Sequence, residues 1–566
     1  MSERETGIDR GLTDYGDRDF SRYLRRSYAQ SMGYSRAFLD KPVIGIAYTA
    51  SDFNNCHRHF PELLAAVKRG VLGAGALPLA FPTISLGEVF LNPTSLKFRN
   101  LMAMDTEEMI RAQPMDAVVL MGGCDKTVPA QLMAAVSAGR PAIALVAGPM
   151  MTGRHNGERL GACTDCRRFW ARYRSGEIGA AEISAVESRL AVTAGTCAVM
   201  GTASTMACLT ETLGLSLPGT AAIPAVHADR LRAAEATGAA AVKLIGSPLT
   251  PARLINDKSV ENALRVLLAL GGSTNAVIHL TAIAGRAGIR LSLDRLNALS
   301  DSTPVLVNLK PVGNGYMEDF YAAGAMGALL RELRPLLHLD CMTVTGETLG
   351  ERLAGEPGDY VDRSVIAPLS APLEGQGGLI ALFGNLAPKG AILKRSAADA
   401  KLFEHESRAV VFSSLADLAA RIDDPALEVE PHDMLVLQNA GPHALECMPE
   451  AGYLPIPKKL AQRGVKDMIR ISDARMSGTA YGTIVLHVSP DAASGGPLGL
   501  VRNGDRIRLS VKGRRIDVLV EESELKRRAA AAAAAPAKPQ RGYAKLFADE
   551  ILGADEGCDF MFLRPR

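Results

Sequence analysis

Three consecutive residues, Cys124, Asp125 and Lys126, set a thiol, a carboxylate and an amine side by side after a Gly122-Gly123 turn. Such groups ligate metals or move protons; the other reading of the same stretch is a tight turn with a small buried Cys and a solvated Asp–Lys pair. Comparable groups recur along the chain. Cys56 and His59 lie in Asn54-Asn-Cys-His-Arg-His59, Glu88 in Ser85-Leu-Gly-Glu88, and Cys197 in Ala194-Gly-Thr-Cys197. No short-range metal motif links these cysteines. Cys163 and Cys166 form a C-x-x-C with no second pair nearby, which favours a partly buried pair of thiols over a zinc site. In Gly271-Gly-Ser273-Thr274-Asn275 the hydroxyls sit where they would cap a helix, beside backbone N–H groups able to hold an anion. Ser477, before Gly478, reads on local grounds as a turn serine.

The elements that must position these groups follow from the hydrophobic pattern. Pro42–Tyr48, Ala76–Phe81, Asp116–Met121 and Pro141–Ala147 are short apolar runs that read as buried parallel strands. Helical stretches separate them, such as Pro61–Gly70, a helix over 106–113 with Asp105 as its N-cap, and Pro129–Gly139. This alternation predicts a three-layer α/β domain with a mostly parallel sheet covered on both faces. Loops at the carboxyl ends of parallel strands share one edge, so Cys56, Glu88 and the Cys124–Lys126 turn can converge there. From Ala180 to about Gly288 the pattern is helical, with the small-residue stretch Ala194–Ala207 read as a closely packed helix. After residue 365 short β-type runs alternate with Gly, Pro and Asn turns, and Asp505–Val520 carries a hairpin signal around Lys512-Gly513-Arg514. A second, β-rich, barrel-like domain is expected. The division is 1–40, an irregular polar arm; 41–365, the α/β domain; and 366–566, the β-rich domain. Ala529–Ala535 is a low-complexity helix or spacer.

A chain of 566 residues exceeds what one core usually supports. Its 63 Lys and Arg against 61 Asp and Glu give a net charge of +2, with no electrostatic case for a nucleic-acid or membrane partner. The polar first residues lack the apolar core of a signal peptide, and no apolar run is long enough to span a bilayer. Nine scattered cysteines argue against a disulfide framework and for a reducing, cytoplasmic setting.

Six ordered blocks carry a resemblance: Gly122-Gly-Cys-Asp-Lys-Thr127, Ala194-Gly-Thr-Cys197, Gly271-Gly-Ser-Thr-Asn275, Gly384-Asn-Leu-Ala-Pro-Lys-Gly390, Met448-Pro-Glu450 and Arg475-Met-Ser-Gly478. The chain resembles the iron–sulfur dehydratases, which include dihydroxy-acid, phosphogluconate and aldonate (sugar-acid) dehydratases. Ile84–Phe90 and Met102–Arg111 look like the aldonate branch, exemplified by L-arabinonate dehydratase. The resemblance implies that Cys56, Cys124 and Cys197 ligate an iron–sulfur cluster, most simply of the 2Fe–2S type. It implies that Glu88, Asp125 and Glu450 ligate Mg2+, that Lys126 is carbamylated to supply a further oxygen ligand, and that Ser477 is the catalytic base. Ser273, Thr274 and His59 are the candidate substrate-binding residues. The implied reaction dehydrates a 2,3-dihydroxy carboxylate to a 2-keto-3-deoxy acid in a homodimer or homotetramer. Ala444–Cys447 and Glu550 depart from the family pattern near the expected substrate pocket. Dehydration of branched-chain dihydroxy acids, metal-dependent aldol cleavage or another lyase reaction, and an inactive relative serving as a binding or regulatory protein are the alternatives.

Overall fold

The computed structural model describes residues 6–12, 16–355, 360–450, 454–531 and 538–565. Strands β1 (Val43–Tyr48), β2 (Leu77–Pro82), β3 (Ala117–Gly122) and β4 (Ala142–Val146) form a parallel sheet in the order β2-β1-β3-β4. The strands are nearly all apolar because both faces are covered. Ile44, Ile46, Val119 and Met121 share a core with Phe60, Leu63 and Val67 of the helix Phe60–Gly73. Val43, Ala47, Val118 and Leu120 share another with Ile110 and with Ile8, Ala29 and Leu39 of the N-terminal segment. On the first face the helix Phe60–Gly73 crosses Ala228–Lys243 at very close range. A Cβ on Gly70 would lie 1.9 Å from the Glu235 carbonyl oxygen, and one on Gly238 2.2 Å from that of Val67. Only glycine permits that approach.

The strand order fixes where chemistry can occur. From β1 the chain steps outward to β2, and from β3 it steps the opposite way to β4, so the loops leaving β1 and β3 diverge and open a crevice at their carboxyl ends. Those loops carry Cys56 and Cys124–Lys126, and Glu88 follows β2 on the same edge. A small hairpin, β5 (Gly153–His155) and β6 (Glu158–Leu160), then leads into a long, mainly helical region.

The C-terminal part is an eight-stranded mixed sheet: β7 (Ile380–Leu382), β8 (Gly390–Leu393), β9 (Glu404–Phe412), β10 (Met434–Leu437), β11 (Arg470–Ser472), β12 (Ile484–Ser489), β13 (Arg506–Ser510) and β14 (Arg515–Val518). Its order is β14-β13-β9-β10-β11-β12-β8-β7. Phe383 and Ile516 join the two ends through backbone bonds of 2.8 Å, Phe383 N–H to Arg514 and Ile516 N–H to Phe383, so the sheet is nearly closed and its edges are not left open. One apolar cluster draws on all eight strands, including Ala409, Val411, Met434 and Val436. The alternate residues Val410, Phe412, Leu435 and Leu437 lie outside it, packed with Leu418 and Leu460 of two covering helices.

Three expectations change. The described part of the first forty residues is not irregular: it contains the helix Arg18–Ser31, capped by the Asp17 carboxylate accepting from Phe20 N–H at 3.0 Å, and a short helix Arg36–Leu39. Buried Asp116 pins this segment by accepting from Gly7 and Val43 N–H at 2.7 and 2.8 Å and pairing with Arg10. The helix expected over 106–113 begins at Leu96, so Asp105 sits inside it and accepts from Ile84 N–H instead of capping. The helix expected over Ala194–Ala207 begins only at Thr202. Gly195, at φ +115, and Thr196, bonded to Gly148 and Met150, make the preceding stretch an extended loop. Ala529 and Ala530 end the helix Glu522–Ala530, while 532–535 of the alanine run lie outside the described residues. No helix among the described residues is long and apolar enough to cross a membrane.

Candidate active site

At the sheet edge, one ligand oxygen each of Glu88, Asp125 and Glu450 lie within 4.8 Å of one another. Glu88 comes from the loop after β2, Asp125 from the turn after β3, and Glu450 from the C-terminal domain, so three segments distant in sequence build one acidic centre. Lys126 is buried among them, its Nζ 3.0 Å from Glu88, 3.6 Å from Asp125 and 3.7 Å from Glu450. Arg475, also buried, bridges Glu88 and Glu450 at 2.8 and 2.7 Å and donates to Thr94 Oγ1 at 2.6 Å and the Met448 carbonyl at 3.0 Å. Ser95 donates to Glu88 as well. Burial raises the Glu88 carboxyl, but Arg475 and Lys126 outweigh it and hold it well below the usual carboxylate range. Burial pushes Asp125 up to about 7, against the pull of Lys126 and with the push of Glu450 and Glu88. Three carboxylates face two cations, a donor set of hard oxygens with room in its charge for a further cation.

Beside this centre lie the thiols of Cys56, Cys124, Cys163 and Cys197, with Cys166 next to Cys163. The Cys56 side chain hydrogen-bonds that of Cys124. Cys197 Sγ is 3.7 Å from Cys163 Sγ. The hydrogen bond to Cys124 and then burial raise Cys56 well above an ordinary thiol; the bond to Cys163 and then burial do the same to Cys197. Hydrogen bonds from Cys166 and Cys197 lower Cys163. Soft donors that find mainly one another in a buried pocket fit an iron–sulfur group. His57 orients the Cys124 turn. Its Nδ1–H donates to the Thr49 carbonyl at 2.8 Å, so Nε2 accepts from Cys124 N–H at 3.1 Å. Burial lowers this imidazole to about 3 and keeps it neutral.

The loop Arg475–Ala480 enters from the C-terminal domain. Ser477 Oγ is 2.9 Å from Thr479 Oγ1, and the Thr479 carbonyl accepts from Thr164 Oγ1 at 3.1 Å. Gly478 is pressed onto the α/β domain: a Cβ there would lie 2.5 Å from Ser273 Cβ and 2.9 Å from Thr202 N. Ser477 is therefore brought to the same crevice as the acidic centre, two residues from Arg475. Ser273 is buried, bonded to Thr202 Oγ1 at 2.8 Å, and accepts from Asn275 N–H at 3.1 Å. It does the capping expected of both hydroxyls, since Thr274 makes no side-chain cap bond. His59 donates from Nε2 to the Ala147 carbonyl at 2.9 Å, while its buried Nδ1 has no partner among the described residues.

Residues 41–352 match "Dihydroxy-acid/6-phosphogluconate dehydratase N-terminal" and residues 364–558 match the C-terminal counterpart. The chain belongs to the dihydroxy-acid/6-phosphogluconate dehydratase family. It is 44% identical to an L-arabinonate dehydratase of Rhizobium leguminosarum bv. trifolii, over 97% of this chain and 95% of that protein. It is 43% identical to a 6-deoxy-6-sulfo-D-gluconate dehydratase of Pseudomonas putida, over 100% and 98%. A dihydroxy-acid dehydratase of Clostridium botulinum is 36% identical over 94% and 97%. As a member of this dehydratase family the chain is a hydro-lyase.

Several residues of this dehydratase site were not singled out by sequence reasoning. Arg475, although inside a recognised block, carried no assigned role, and its two carboxylate bridges depend on the fold. Asn275 Nδ2 reaches Glu450 at 3.4 Å and Thr202 Oγ1 at 3.2 Å, leaving its buried Oδ1 without a partner among the described residues. Lys394 is buried, with Nζ 3.3 Å from the Gly478 carbonyl, and burial lowers it to about 7. A lysine at the end of a strand gives no sequence signal of such a position.

Proposed function

We propose that this hydro-lyase dehydrates a 2,3-dihydroxy carboxylate of the aldonate class to a 2-keto-3-deoxy acid. The observation that carries the reading is the meeting of the Glu88–Asp125–Glu450 centre, the thiol pocket and the Ser477 loop in one crevice. Names of the relatives, an L-arabinonate and a sulfogluconate dehydratase, point to sugar acids. The proposed division of labour gives the cluster and most metal ligands to 41–365, and the serine, with the remaining carboxylate ligand Glu450, to 366–566.

Glu88, Asp125 and Glu450 would hold Mg2+, joined by Lys126 as a carbamate; Cys56, Cys124 and Cys197 would hold a 2Fe–2S cluster. When bound, these groups supply cationic partners for the substrate carboxylate and C2 hydroxyl and a Lewis acid for the C3 hydroxyl. Without carbamylation the Lys126 ammonium pairs with the carboxylates itself; carbamylation exchanges that positive charge for a negative oxygen donor. Arg475 fixes Glu88 and Glu450 in direction and helps keep Glu88 ionised. Ser477, acting as its alkoxide, takes the C2 proton and returns it to the departing C3 hydroxide, with the Thr479 hydroxyl 2.9 Å away and placed to donate to the serine oxygen. The C2–H and C3–O bonds break, water leaves, and the enol takes a proton at C3 to give the ketone. Ser273 and Thr274, at the start of the helix Asn275–Arg286, and the free Nδ1 of His59 are the proposed contacts for substrate oxygens.

The test is product analysis. Protein purified and reconstituted without oxygen, then supplied with magnesium, is expected to convert four- to six-carbon aldonates to 2-keto-3-deoxy acids. Shorter carbonyl fragments would mean carbon–carbon cleavage instead. Preference for 2,3-dihydroxy-isovalerate would move the substrate to the branched-chain acids.

A further inference from the structure

The thiol pocket holds one cysteine more than the three assigned above. Cys163 Sγ lies 3.7 Å from Cys197 Sγ, so these two sulfurs form a pair. With metal–sulfur bonds of about 2.3 Å at a tetrahedral angle, two thiolates on one ion lie about 3.8 Å apart. The Cys163–Cys197 separation is that of two ligands of one metal. A cluster with two irons asks for two such pairs.

The position of Cys163 is built. It precedes the helix Thr164–Ser175, whose buried Asp165 accepts from Gly161 N–H at 2.8 Å and Tyr316 OH at 2.9 Å and pairs with Lys310 at 2.9 Å. Ala198 N–H donates to the Ala162 carbonyl at 3.1 Å, tying the Cys163 strand of chain to that of Cys197. Thr164 Oγ1 ties the same segment to the Ser477 loop through the Thr479 carbonyl. Cys166 donates to the Cys163 carbonyl at 2.6 Å, which fixes the C-x-x-C turn from behind. Cys163 also touches the small apolar group of Met150, Ala162 and Ala198, a wall that would keep water from the sulfur.

We infer that Cys163 is a fourth protein ligand of the cluster in the substrate-free protein, sharing one iron with Cys197. The inference rests on the reading of Cys56, Cys124 and Cys197 as cluster ligands. A thiolate at that position closes the iron to water, and a substrate hydroxyl has to compete with Cys163 for it. No electron is transferred in that exchange; one iron–sulfur bond is traded for one iron–oxygen bond.

Mössbauer spectra of the iron- and sulfide-reconstituted protein test this without reference to turnover. Substrate-free wild type is expected to show two alike, all-sulfur irons, and L-arabinonate should make one of them distinct. Cys163→Ser should retain wild-type iron content but show the distinct iron before any substrate is added; Cys166→Ser should match wild type. Two inequivalent irons in substrate-free wild type, or a Cys163→Ser spectrum identical to wild type, would overturn the inference. A wild-type protein that takes up no cluster at all would instead sink the underlying cysteine assignment. Circular dichroism of Cys163→Ser guards against misfolding, and Cys163→Ala, lacking any donor, should give the same two-site spectrum.

Discussion

Gly478→Ala is the most informative single change, because it moves the proposed base without altering any reactive group. The new Cβ would lie 2.5 Å from Ser273 Cβ and Oγ and 2.9 Å from the Thr202 backbone nitrogen. Ordinary contact is about 3.5–4.0 Å, so the loop must withdraw by about 1 Å. Neither neighbour can yield: Ser273 is buried and bonded to Thr202, and Thr202 N opens a buried helix. A misplacement of about 1 Å at a reacting group costs about 10²-fold in rate, close to 3 kcal/mol of transition-state stabilisation. Overpacking should also cost about 1–3 kcal/mol of stability. The assay is kcat on an aldonate, with iron content, visible absorption and melting temperature measured on the same preparation. The expected result is a fall of about two orders of magnitude in kcat with iron content unchanged, and a deeper fall for Gly478→Val. Wild-type kcat in Gly478→Ala would show that the Ser477 loop does not need this contact to work. A loss that tracked iron content would assign the glycine to cluster assembly.

Ser477→Ala should abolish both turnover and exchange of the substrate C2 hydrogen with solvent while iron content and fold persist; retained exchange would place the base elsewhere, with His59 next in line. Replacing Cys56, Cys124 or Cys197 by Ser should bleach the anaerobically reconstituted protein, and colour surviving in Cys197→Ser would remove it from the ligand set. Lys394 binds its proton only below about 7 when folded, against its ordinary 10.5 when unfolded, so folding stability should fall as pH drops from 10.5 towards 7 and then level off. Lys394→Met should be more stable at pH 7 and flatten that slope, worth about 1.4 kcal/mol per pH unit; parallel melting curves for the two proteins between pH 7 and 9 would contradict the buried, neutral lysine. The helix Arg18–Ser31 and the Met32 that follows it expose Phe20, Tyr23, Tyr28 and Met32, an apolar group that suits a contact with a second copy. Light scattering should therefore give a dimer or tetramer, and a stable, active monomer would refute it.

The sequence by itself determined the elements and the chemical vocabulary. Apolar runs of strand length between helical stretches gave the parallel sheet, because a strand buried on both faces has to be apolar throughout. Strand-end loops then had to share an edge, so Cys56, Glu88 and Asp125 could be grouped before any distance was known. Helix boundaries were less legible. Asp105 looks like a cap and lies mid-helix, and Ala194–Gly201 looks helical but is drawn into an extended path by its bonds to Gly148 and Met150. Only the tertiary structure decided how the two domains meet. Glu450, Arg475 and Ser477 reach the sheet edge because the nearly closed sheet docks there, and nothing local to their segments encodes that contact. The same holds for Cys163. Its C-x-x-C reads as an isolated pair, since local spacing reports only neighbours in the chain. Its nearness to Cys197 is set by a buried carboxylate, Asp165, and by a loop-to-loop hydrogen bond between residues 36 positions apart.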